Sequence, residues 1–127
     1  MSSIVLFQSK DIRRVWNENE QKSYFSIQDV ILVLTDSTDV KQYIKKMSSR
    51  DSELSKNWGT ICTPVEMSTI DGKKRKVQAA NVEGLFRVIQ SISSPKAEPF
   101  KRWLANVLVA HHNYWHFFIL INILNLF

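Results

Sequence analysis

The stretch IRRVWNENEQKSYFSIQDVILVL, residues Ile12 to Leu34, changes its hydrophobic period partway along and thereby announces two kinds of structure. Ile12–Trp16 is apolar at both ends, with Arg13 and Arg14 inside. Asn17–Gln21 is a polar turn, and Lys22–Phe25 reads as a returning strand. From Ile27 the apolar positions recur as Ile27, Val30, Ile31 and Leu34, which is i, i+3, i+4 and i+7, one face of a helix. Ser26, with Asp29 three residues on, supplies a capping-type start that uses the shorter carboxylate. Strand, turn, strand and capped helix in succession predict an α+β fold.

Outward on the N-terminal side, Ile4–Phe7 is another short apolar run, so a small antiparallel sheet is expected. On the C-terminal side, Asp36-Ser37-Thr38 breaks the first helix and provides the cap of the next. Val40, Tyr43, Ile44 and Met47 repeat the apolar stripe over a helix at 39–49. Lys41, Gln42, Lys45 and Lys46 fall outside that stripe. Two amphipathic helices separated by about three residues have the spacing of a helix-turn-helix.

Residues 51–59 are polar and predict a loop or a single turn. Thr60–Ser68 is rich in β-formers, with Pro64 placing it at an edge or bulge. Asp71-Gly72 signals a hairpin, and Val77–Ala80 is its return strand. That hairpin carries Lys73, Lys74, Arg75 and Lys76 on its tip and descending arm. Asn81 caps a third helix whose face is Val82, Leu85, Phe86 and Ile89. Gly84 costs that helix about 1 kcal/mol relative to alanine, which points to close packing at the glycine. Ser93-Ser94-Pro95 starts a fourth helix, regular only from near Pro99, with Phe100, Trp103, Leu104 and Val107 as its stripe.

The expected architecture is one α+β domain over residues 1–110: two small antiparallel hairpins with about four helices, including a helix-turn-helix-like pair and a basic hairpin. At 127 residues the chain suits one domain, and 44% hydrophobic composition is enough for a core. The 17 Lys and Arg against 12 Asp and Glu leave +5, which suits a polyanionic partner without requiring one. Cys62 alone forms no internal disulfide or four-thiolate zinc site, and no secretion leader is legible, so a cytoplasmic location is expected.

No GxSxG, HExxH, glycine-rich phosphate loop or CxxC is present, so neither an enzyme nor a cofactor is expected. His112 and His116 lie at i, i+4, but without a third ligand in register no metal site is expected. Cys62 reads as a strand side chain, and the aromatics Trp16, Tyr24, Phe25, Phe86, Phe100 and Trp103 as core. Nucleic acid is the better match. Duplex binding needs several cations on one surface, and a groove-reading helix needs exposed hydrogen-bonding side chains. Lys41, Gln42, Lys45 and Lys46 supply the helix, and Lys73, Lys74, Arg75 and Lys76 the phosphate contacts. Arg13 and Arg14 either extend that surface or occupy the solvent face of the sheet.

Several segments together resemble the Bro-N domain, found at the N-terminus of baculovirus BRO proteins and phage antirepressors and in proteins similar to DNA-damage-inducible protein D. They are Ile12–Trp16, Tyr24–Val30, Asp71–Arg75, Glu83–Ile92 and, the most specific, Ser94-Pro95-Lys96-Ala97-Glu98-Pro99-Phe100 with Lys101–Ala105 after it. The likeness covers roughly residues 4–108. It implies an α+β nucleic-acid-binding module of phage or mobile-element regulation, with no catalytic residues to carry over. The leading expectation is therefore a DNA-binding module of an antirepressor or transcriptional regulator. The alternative is a protein-interaction module that binds a repressor instead of DNA.

Trp103–Phe127 carries no charge, and residues 111–127 form an atypical apolar tail around the run Phe117–Ile121. Family members usually continue into polar sequence here. The tail is expected to be a truncation or frameshift product, or else a helix that covers the domain or pairs with a second copy as a homodimer. A membrane anchor is disfavoured, because the apolar run is short against the ~20 residues a span needs.

Overall fold

The computed structural model describes residues 2–7, 10–69 and 71–111, the side chains of 2–5 and 107–111 excepted. The strands are β1 (Ser2–Phe7), β2 (Lys10–Asn17), β3 (Lys22–Ser26), β4 (Thr63–Ser68) and β5 (Lys74–Ala80). The helices are α1 (Ile27–Thr35), α2 (Val40–Arg50), α3 (Ser52–Lys56), α4 (Trp58–Ile61), α5 (Val82–Gln90) and α6 (Ala97–His111). The fold is α+β. Its strands do not form two separate hairpins, however: they join into one antiparallel sheet in the order β1-β2-β3-β5-β4. The seam is short, with Phe25 opposite Ala80 and Ser26 opposite Ala79. It is a long-range pairing between strands far apart in sequence, which no local pattern encodes.

The chain divides into two compact units between Ser94 and Pro95. In the first unit, Ile12, Phe25 and Ala80 share one sheet face and are buried, with α1 against β2 and β5, and α5 against β3 and β5. All four positions of the α1 stripe are buried, and Val33 with them. Ser26 Oγ accepts from the Asp29 N–H at 3.2 Å, so the expected cap is present. Asn81 caps α5 in the same way, through the Gly84 N–H at 3.0 Å.

Three local expectations need correction. The cap of α2 is Asp39, which accepts from the Gln42 N–H at 3.0 Å, and not Ser37 or Thr38. Asp36 instead ends α1 in the left-handed region, at φ 54°. Residues 51–59 hold more than the loop or single turn expected: Asp51 caps the five-residue α3, whose Leu54 is fully buried, and α4 opens at Trp58. A single apolar residue is too little for a periodicity argument to detect. In the second unit, α6 starts at Ala97, ahead of Pro99, because a proline in the first turn sacrifices an N–H that has no helical partner anyway. Within α6, the rings of Phe100 and Trp103 pack against each other in a tilted arrangement, 5.1 Å between centroids and 41° between planes. The expected tail, apart from His111, lies outside the described residues. No helix among the described residues is long and apolar enough to cross a membrane.

Asp51 also ties α3 to α5. Its two carboxylate oxygens accept from Arg87 Nη2 at 2.9 and 3.0 Å, and the Ser91 hydroxyl donates to it as well. The Arg87 guanidinium, then Ser91 and the Leu54 N–H, hold this carboxyl well below the usual carboxylate range. A depressed native value contributes stability above the unfolded value of ~3.9, and that contribution is lost as the pH falls through the native value. Asp51→Asn is therefore expected to be less stable at neutral pH and to show a shallower fall in Tm between about pH 5 and about pH 2. Parallel calorimetric profiles for the two proteins would contradict this.

Candidate nucleic-acid interface

Lys41, Gln42, Lys45 and Lys46 are all exposed, while Val40 and Met47 on the same helix are buried. At 100° per residue the four side chains cover one contiguous sector of α2, with Lys41 stacked on Lys45 and Gln42 on Lys46 one turn apart. Tyr43 and Ile44 are half-buried, so the stripe is partly covered along its middle.

Lys73, Lys74, Arg75 and Lys76 are exposed as well. Their turn is built by Asp71 and Thr69. The Asp71 carboxylate accepts from the Thr69 hydroxyl and from the Lys73 N–H, the latter at 3.1 Å, and these bonds hold it below the ordinary carboxylate value. The Thr69 N–H donates to the Lys73 carbonyl at 2.7 Å, and Gly72 sits at φ 81°, where a side chain would be strained. Strand pleating then divides the cations. Lys74 and Lys76 oppose Ser68 and Glu66, whereas Arg75 opposes Met67 on the other face. Arg75 also has Asp71 at 3.9 Å, an exposed and weak pair. Among the described residues, no hydrogen bond or ion pair engages the side chains of Lys41, Gln42, Lys45, Lys46, Lys73, Lys74 or Lys76.

The register places the two groups. Lys10 at the start of β2, and Lys74 at the start of β5, lie at the same end of the sheet, and the β2–β3 turn lies at the opposite end. Lys10 Nζ lies 2.6 Å from Asp36 Oδ1, an exposed and weak pair that marks the α1–α2 connection as lying at that first end. Helix α2 therefore begins at the sheet end from which the basic hairpin projects.

Arg13 does not join this surface. Its Nε and Nη2 grip the two Asp29 oxygens at 2.8 and 2.9 Å, and its own N–H donates to Asp29 Oδ2 at 2.9 Å. Nη1 reaches the Ser68 carbonyl at 3.2 Å. The carboxylate raises the guanidinium above its ordinary value, as a charge-assisted fork does. Arg14 is half-buried, and burial lowers it. Cys62 is buried and its thiol is pushed up to about 12, so it stays protonated and inert. Phe25, Phe86 and Phe100 are buried as expected, but Trp16, Tyr24 and Trp103 are only half-buried. Tyr24 and Trp16 spend their polar atoms on Glu20 and Glu18, a use of which sequence spacing gives no sign.

The family described as BRO family, N-terminal domain, has a model that matches residues 11–110. No curated protein and no solved structure matches the chain.

Proposed function

The chain belongs to the BRO family through the N-terminal domain that spans residues 11–110, and we propose that it is the DNA-binding module of a phage-type antirepressor or transcriptional regulator. The observation that carries this reading is an α2 sector of unpaired cations starting at the same sheet end as a lysine-rich hairpin. Lys41, Gln42, Lys45 and Lys46 face a groove in this arrangement, and Lys73, Lys74, Arg75 and Lys76 hold phosphates. Each phosphate neutralised releases condensed counterions, so affinity falls steeply with salt.

The test is a salt titration of binding to mixed-sequence duplex by the full chain and by a variant with all six lysines of the two groups changed to alanine. The log–log slope is expected to fall by about one for each phosphate that the variant leaves unneutralised. A variant that binds with the parent slope overturns this assignment of residues. Failure of the parent to bind duplex, together with capture of a repressor protein, would move these cations onto an acidic protein surface.

A further inference from the structure

At the other end of the sheet, beside the β2–β3 turn, lies a cleft of about 650 Å³. Its apolar walls are Val15, Trp16, Tyr24, Ile61, Pro64 and Val65, and Glu18 and Glu20 stand at its lip. In a chain of net charge +5 this is a local reversal of sign. We propose that the cleft docks a cationic segment of a partner protein, an arginine or lysine side chain lying along the aromatic walls with its charge met by Glu18 and Glu20.

Both carboxylates are held in place by neutral donors. Glu18 accepts from Trp16 Nε1 at 2.6 Å and from Gln21 Nε2 at 3.3 Å. Glu20 accepts from the Tyr24 hydroxyl at 2.8 Å and from Asn17 Nδ2 at 2.7 Å, and its own N–H donates to Asn17 Oδ1 at 3.0 Å. Among the described residues no cationic nitrogen lies within ion-pair distance of either. Each carboxylate therefore keeps acceptor capacity, because two oxygens offer about four sites. Fixed carboxylates cost little ordering entropy on binding, and aromatic walls suit a side chain with an apolar stem and a charged head.

The same features select the occupant. Phosphate is repelled by two carboxylates, which separates this cleft from the basic end of the sheet. A cation on a long apolar stem is favoured over a small amine, because the stem covers Val15, Ile61, Pro64 and Val65 while the head reaches the carboxylates. Pro64 has no N–H, so the side chain and not strand pairing carries the binding.

The experiment uses the full chain and two fluorescein-labelled probes, Gly-Arg-Leu-Arg-Gly and the same peptide with citrulline at both arginine positions, read by fluorescence anisotropy. The arginine peptide is expected to bind about ten-fold more tightly than its neutral isostere. Glu18→Gln with Glu20→Gln is expected to abolish that preference while lowering Tm by only a few degrees, because each glutamine still accepts from Trp16 or Tyr24 and loses only the exposed second bond, from Gln21 or Asn17. Thr63→Lys, at an exposed position of the cleft, is expected to abolish it too by supplying a tethered cation. Equal affinity for the two peptides overturns the proposal, as does a preference that survives either variant. A concentration-dependent dimer that dissolves in the glutamine variant would instead assign the cleft to a second copy and also overturn it. None of these readouts depends on DNA.

Discussion

Asp29→Ala is expected to lower the midpoint of thermal unfolding by about 15 °C, from a loss of about 3 kcal/mol. The β2–β3 pairing stops at Arg14 opposite Phe25 and α1 starts just beyond, so the Arg13 N–H finds no β3 carbonyl, although Ile4 of β1 lies opposite Arg13 on the other side. The Asp29 carboxylate takes that place and also closes the fork with Nε and Nη2. Both side chains are largely shielded, 19% and 12% exposed. Removing the acid thus leaves one backbone donor and one guanidinium half-buried without their acceptor, and hydrogen bonds to charged groups are worth about 1.5–3 kcal/mol each, not additively. A smaller part comes from losing a negative charge in the first turn of α1, about 0.3–1 kcal/mol. Asp29→Asn, which keeps an acceptor, is expected to cost about half as much. Circular dichroism melts of the three proteins check this. A shift of only a degree or two in Asp29→Ala would show that the pair is a surface ornament.

Gly84→Ala separates two opposed physical effects. Helix propensity alone favours alanine by about 1 kcal/mol. At this position, though, a Cβ would stand 2.6 Å from the Ile61 carbonyl oxygen, 3.2 Å from Ala80 Cβ and 3.3 Å from Ile61 Cγ2. Backbone cannot swing aside as a flexible side chain does, and the next residue is tied in, its Cys62 N–H donating to the Trp58 carbonyl at 2.8 Å. Helix α4 must therefore move away from α5. The net effect is expected to be a loss of about 2–3 kcal/mol, or about 10–15 °C in Tm. Gly59→Ala is the control. It lies in α4 with nothing within 4 Å of the added carbon, so it is expected to leave Tm unchanged or slightly raised. Destabilisation equal at the two glycines would remove close packing as the cause.

These two positions show how far local reading reaches. Gly84 is recognisable as a packing glycine because it interrupts a strong amphipathic stripe, but its partner, the Ile61 carbonyl, comes from a segment expected to be strand. Arg13 is ambiguous in the sequence because the residue that claims it, Asp29, is already accounted for as part of a helix cap. One carboxylate serves both purposes, and only the folded geometry reveals the second. The aromatic pair Trp16 and Tyr24 fails the expectation of burial for a related reason. Each has a polar atom that bonds a glutamate from the adjoining turn, which keeps the rings at the rim of a cleft.

For the basic groups, exposure is legible in the sequence and arrangement is not. The helical period alone puts Lys41, Gln42, Lys45 and Lys46 on one sector of α2, and the two-residue period of a strand splits Lys74 and Lys76 from Arg75. Periodicities of this kind are properties of neighbouring residues, so strands, helices, caps and the Asp71-Gly72 turn can be read without coordinates. The union of the strands into one sheet cannot. It depends on Phe25 and Ser26 meeting Ala80 and Ala79 from far along the chain. Those are encounters between distant parts of the chain, selected by which buried surfaces fit, and they determine that one end of the sheet carries lysines while the other carries a carboxylate-lipped cleft.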